Sequence, residues 1–93
     1  MKFAFIIMGD FNSGVDFAQI HEGGAQIVGV ATLEEAKKAA MRLQTDGVDC
    51  IELCGAFGEK GAREIIKATK GTVPIGYVTH LPEQNELYTR VFS

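Results

Sequence analysis

Four short apolar runs punctuate the chain: Lys2–Met8, Gln26–Ala31, Val48–Leu53 and Val73–Thr79. Each is rich in Val, Ile or Phe, and the last three are nearly continuous, as in strands covered on both faces. The intervening segments have helical periodicity. Thr32 followed by Glu35 predicts a capping box, in which the hydroxyl accepts from the Glu35 N–H while the carboxylate reaches back. Leu33, Ala36, Ala40 and Leu43 then share one helical face, and Gly47 suits the left-handed position that closes a helix. A second helix is predicted over Glu59–Thr69, with Ala62, Ile65, Ile66 and Thr69 inward. Lys67 and Lys70 sit near its negative end, and Gly71 stops it. A third starts at Pro82, a favoured first helical residue, and runs towards Val91 with Leu87 and Val91 inward. The Gly9–Ala25 segment reads as a loop with room for a helical turn or two around Val15–Ile20. Loops of this length in compact domains are commonly functional or flexible.

This order predicts one small α/β domain over residues 1–93, with a four-stranded, mainly parallel sheet and three helices. Two strand orders stay open. Sequential order, as in part of a βα barrel, puts all the helices on one side and leaves the face of Ala4, Ile6 and Met8 or their neighbours for a partner chain. A flavodoxin-like swap of the first two strands spreads the helices over both faces more evenly. Three helices over four strands leave a deficit in either case, which points to a homo-oligomer.

Composition narrows the function classes. Nine basic and twelve acidic residues, interspersed, give a net charge of −3 and no basic stripe, which disfavours a nucleic-acid partner. The opening MKFAFIIMGD lacks the cleavage pattern of a signal peptide, and no apolar stretch approaches the ~18–20 residues of a membrane span. The two cysteines, Cys50 and Cys54, are four strand steps apart. Their Cα atoms would be separated by about 13 Å, beyond the ~7 Å reach of a disulfide. Reduced thiols and the absence of a leader fit a cytoplasmic protein.

Candidate chemistry gathers where parallel strands end, because loops and helix starts converge there. The first strand delivers Met8, Gly9 and Asp10 to that rim, the third Glu52 and Cys54, and the fourth Thr79 and His80. Cys50, Glu52 and Cys54 alternate with Ile51 and Leu53, so they share one side. Glu52 reads either as a general base or ligand-orienting acid, or as a structural carboxylate bonded to backbone N–H groups. Cys54 and His80 can form a nucleophile–base pair oriented by Glu52 or Asp10; equally, Cys54 can be a small buried hydrophobe. The turn GAFGEKGA, with Gly55, Gly58 and Gly61, offers backbone N–H groups to a phosphate or carboxylate. It matches neither the dinucleotide fingerprint nor the phosphate loop. Phe57 either walls a pocket or plugs the core or an oligomer contact. His21, His80, Cys54, Glu52 and Asp10 include ligand-type side chains, but no pair has metal-ligand spacing, so no metal is expected and a cofactor is left open. The function expected is binding of a small anionic metabolite by Gly55, Phe57, Gly58 and Thr79, with acid/base catalysis by Glu52, Cys54, His80 and Asp10. The alternatives are a non-catalytic ligand-binding module and a structural homo-oligomer.

The segments KFAFIIMG, IELCGAFGEKGA and GYVTHLPEQ together resemble a family of short prokaryotic proteins of about this length, catalogued only as a domain of unknown function. The resemblance spans nearly the whole chain outside Asp10–Gln26. It implies a stand-alone small α/β protein and carries over no catalytic residue, substrate or cofactor.

Overall fold

A computed structural model describes residues 1–92. The chain folds as β1 (Phe3–Met8), β2 (Phe17–Ile20), β3 (Ala25–Val30), α1 (Leu33–Thr45), β4 (Cys50–Leu53), α2 (Gly58–Ala68), β5 (Ile75–Tyr77) and α3 (Asn85–Phe92). The sheet has five strands in the order β2-β3-β1-β4-β5. β1 pairs parallel with both β3 and β4, β4 pairs parallel with β5, and β2 runs antiparallel to β3 at the edge. The four predicted strands therefore adopt the swapped, flavodoxin-like order. The fifth, β2, lies in the segment predicted as a loop, so the sheet is mixed. Among the described residues no helix is long and apolar enough to cross a membrane.

The core lies between one face of this sheet and α1 with α2. Ala4, Ile6, Val28, Val30, Ile51 and Leu53 point down from the strands, and Ala36, Ala40, Leu43, Ala62 and Ile65 meet them from the helices. Alternation places Phe3, Phe5 and Ile7 of β1 on the other face, beside Ala25, Ile27 and Gly29 of β3 and Cys50 and Glu52 of β4. Among the described residues no helix covers that face. Swapping strands was expected to distribute the helices over both faces, yet the β1–β3 connection, which would supply the second layer, carries β2 in place of a helix. The Phe11 loop partly covers that face, the Phe11 ring folding back over Gly29. A Cβ on Gly29 would lie 2.9 Å from the Phe11 Cβ and Cγ, so only glycine accommodates it.

Local signals set the helix ends. The Thr32 hydroxyl accepts from Glu35 N at 3.1 Å, and the Glu35 carboxylate accepts from Ala31 N at 3.0 Å, closing the capping box one residue upstream of its usual donor. At the other end of α1, Gly47 N donates to Gln44 O and Val48 N to Leu43 O, with Gly47 at φ 86°: a Schellman motif. α2 closes with the same two bonds, Lys70 N to Lys67 O and Gly71 N to Ile66 O, but here Lys70 takes the left-handed position at φ 57°. Gly71 was expected to stop this helix; it follows the stop. Thr69 is fully buried, its hydroxyl donating to Ile65 O, whereas Ile66 is 41% exposed and not part of the inward face.

The third helix departs furthest from expectation. Pro82 opens a 3-10 turn, Pro82–Gln84, and α3 follows with none of its residues buried. Leu87 and Val91, expected inward, are 48% and 73% exposed.

Two predictions follow from the helix contacts. Lys37 donates to Glu64 across α1 and α2 at 3.2 Å. That bond holds the Glu64 carboxyl below the usual carboxylate range. A depressed carboxyl adds stability above its unfolded pKa of about 4.3 and loses it as pH falls through the folded value. Glu64→Gln should therefore lower the unfolding midpoint at neutral pH and converge with wild type in acid; a constant offset at all pH values would refute the pairing. Lys70→Gly relieves a left-handed lysine and, net of the entropy it adds to the unfolded chain, should raise stability by about 0.5–1 kcal/mol in denaturant titrations; no gain would show that Lys70 stores no strain.

Candidate functional site

Parallel pairing carries the ends of β1, β4 and β5 to one edge of the sheet. Cys54, just past β4, donates its N–H to Ile6 O at 3.1 Å, continuing the ladder. Its carbonyl then turns away to accept Phe57 N, and the Cys54 Sγ accepts the Met8 N–H at 3.3 Å in place of a ladder oxygen. The thiol is thus built into the seam between β1 and the following turn. Gly55–Phe57 form a single 3-10 turn, and Gly58 follows at φ 61°, a conformation natural for glycine. Phe57 drops into the core at 5% exposure. Gly61 makes room for it, since a Cβ there would lie 3.1 Å from the Phe57 Cβ.

Beyond β5, the chain passes through Val78, Thr79 and His80 into the 3-10 turn and α3. His80 Nε2 lies 2.7 Å from Asn85 Oδ1. An amide oxygen only accepts, so Nε2 carries the hydrogen and Nδ1 is left as an acceptor. The His80 ring stacks on Tyr88 with centroids 3.9 Å apart and planes 6° from parallel, and Tyr88 stacks on Phe92 at 5.8 Å. Three rings therefore form a ladder along one side of α3.

This ladder and the strand ends enclose an open cleft of about 1340 Å³. Its strand side is made by Ile7, Met8, Cys54 and Tyr77, with Phe11 and the Gly55–Gly58 turn beside them; its helix side is made by His80, Asn85, Tyr88, Thr89 and Phe92. The lining has sulfur, hydroxyl, amide and imidazole groups but no Asp, Glu, Lys or Arg. Its recognition chemistry is consequently aromatic contact with a few neutral hydrogen-bonding groups.

Of the residues singled out from the sequence, Cys54, Gly55, Gly58, Thr79 and His80 meet at this cleft. Glu52 does not. It lies on the open sheet face, its carboxylate flat over Gly76, where a Cβ would sit 2.6 Å from Oε2. Asp10 is exposed outside the lining, and Phe57 belongs to the core. His21 lies in the β2–β3 turn, at the edge where β3 begins and so at the far end from His80. Among the described residues, no three His, Cys, Asp or Glu side chains gather as a metal set would require. Cys50 shares the open face with Glu52, where burial, then Glu52 and Asp49, push its thiol pKa up and disfavour a thiolate. Phe11, Tyr77, Asn85, Tyr88 and Phe92 were not anticipated from sequence; the i, i+4 spacing of Tyr88 and Phe92 is the one signal that marks them as a common face.

Over residues 1–93 the chain matches the family of unknown function DUF6506, and it belongs to that family. No curated protein and no solved structure matches it.

The sulfur's structural duty is open to test. Cys54→Ala removes the acceptor for the half-buried Met8 N–H and should cost about 1 kcal/mol in denaturant unfolding, while Cys54→Ser, which can still accept, should lose less. Equal losses in both would show that the bond contributes nothing.

Proposed function

We propose that the protein binds a small planar organic molecule, an aromatic or heteroaromatic acid, in the cleft between the strand ends and α3. The observation that carries this reading is the His80–Tyr88–Phe92 ladder facing Phe11 and Tyr77 across a concavity free of charged side chains. Flat apolar surfaces with a few convergent polar groups characterise small-molecule sites, and a ring entering the cleft can extend the stack. With no Lys or Arg in the lining, a ligand carboxylate is received by backbone N–H groups of the turn after Cys54, and His80 Nδ1 and the Thr79 hydroxyl orient the remaining polar edge.

The second reading is enzymatic. Cys54 and His80 line the same cleft, the arrangement a thiol nucleophile and its base require. In this conformation each is engaged elsewhere, the sulfur by Met8 N–H and the imidazole by Asn85. Catalysis would require both to release those partners. Glu52 and Asp10 take no part in either reading.

A thermal-shift screen with aromatic carboxylates and neutral heterocycles tests the proposal. A ligand at about 100 times its Kd should stabilise the fold by ~2.7 kcal/mol. Tyr88→Ala should weaken binding at least tenfold while the core, to which Tyr88 contributes no buried side chain, keeps its cooperative unfolding. If no aromatic compound stabilises the fold, or if binders are indifferent to Tyr88→Ala, the proposal fails. Turnover of a bound compound that Cys54→Ser abolishes would favour the enzymatic reading.

A further inference from the structure

The open sheet face presents an apolar surface that this chain leaves uncovered. Phe5 and Ile27 are lateral neighbours at its centre, with Phe3 and Ile7 along β1 and Ile20 of β2 at its margin. Ile27 is 41% exposed and Ile20 68%. A groove of about 310 Å³ runs across it between Ile7, Phe11, Ala18 and Ile27. Parallel strands with one bare face are uncommon, because burial on both faces normally accompanies their crossovers.

The accessible surface of the chain measures how much is missing. It totals 6216 Å² for 10.1 kDa. A compact monomer of that mass exposes about 5300 Å², so the excess is about 900 Å². One partner in a standard specific interface contributes about 800 Å². Summed over the whole chain, α3 included, the surplus is about what a single protein–protein contact conceals.

We infer that the occupant of this face is a second copy of the same chain, packed sheet face to sheet face about a two-fold axis near Phe5 and Ile27. Such an interface must be complementary to itself, which a patch of one dominant charge cannot be. Two carboxylates accompany the apolar patch: Glu52 of β4, lateral to Phe5 and next to Gly76 of the edge strand β5, and Asp16, just before β2 beside the groove, whose carboxylate accepts the Asn12 N–H. A two-fold axis running along the strands between Phe5 and Ile27 brings apolar side chains together at the centre and sets the two Glu52 carboxylates on opposite sides of it. The face shares Ile7 and Phe11 with the cleft, whereas Phe5 and Ile27 lie outside the cleft lining.

Sedimentation of the full chain across a range of concentrations tests this. The expected species at high concentration has twice the 10.1 kDa mass of one chain. Phe5→Glu and Ile27→Glu, both outside the cleft, should each give a monomer whose far-ultraviolet circular dichroism and cooperative unfolding match wild type. Alkylation of Cys50 in the wild-type protein gives a readout that needs no folded variant, and its rate should fall as the dimer forms. A single-chain mass at every concentration overturns the inference and leaves the face to a different partner. An assembly that survives both substitutions, or Cys50 alkylation that is indifferent to concentration, also overturns it. Ligand binding in the cleft is scored separately, so failure of either proposal leaves the other standing.

Discussion

The handedness of two crossovers governs most of this structure. From β3 through α1 to β4, and from β4 through α2 to β5, the chain steps across the sheet in the same direction. A right-handed connection in that direction has one side to use, so both helices lie on the same face and pack against each other. A helix between β1 and β3 would step the opposite way and fall on the other face. The chain spends that connection on the Phe11 loop and β2, and the second layer is never built. One half of the fold is therefore a conventional α/β core and the other half a bare sheet.

The same parallel pairing creates the cleft. With β1 flanked by β3 and β4, and β4 by β5, three strand ends meet at one edge. Each then does something different: β1 turns through Gly9 towards Phe11, β4 turns through Cys54 into α2, and β5 extends into His80 and α3. The groups at this edge are held by contacts within the protein, one to backbone and the others between side chains. The Cys54 sulfur replaces a ladder oxygen, and His80 is fixed between Asn85 and Tyr88. Groups already engaged with protein partners around a concavity suit recognition; proton transfer would have to displace those partners first.

Features encoded within a few residues were legible in the sequence. The four predicted strands, the Thr32–Glu35 cap and the left-handed Gly47 all follow from local periodicity and backbone chemistry, and all are present. The convergence of Cys54 and His80 at one rim also followed, because it needs only parallel strands. What failed needed information about neighbours. β2 is four residues long, and every one is exposed, so it leaves no burial pattern; pairing with β3 alone defines it. Leu87 and Val91 do share a helical side, as their spacing implied, but periodicity cannot say whether anything lies opposite. Glu52 was placed on the correct parity with Cys50, yet that parity turned out to face an uncovered sheet and not a catalytic mouth. The direction of Phe57 was decided by Gly61, a residue whose role only packing discloses.

Phe11 joins the two unfinished parts of the molecule. Its Cβ and ring fill the space above Gly29 on the open face, and the same ring lines the cleft beside Ile7. Gly29 is fully enclosed only because that ring is there, and the ring is fixed only because glycine lets it descend. The loop after β1 is thus held to the sheet by this aromatic contact and by the bonds from Gly9 N to Val30 O and from Gly29 N to Asp16 O at its two ends, where the face without helices meets the edge where strands end. An isolated helix of eight residues is marginal in water, so α3 depends on the His80 stack and the Asn85 bond to hold its position over that edge. The cleft is consequently bounded by the two least buttressed elements of the fold, the Phe11 loop and α3. A ligand that contacts both would supply the packing that neither receives from the core.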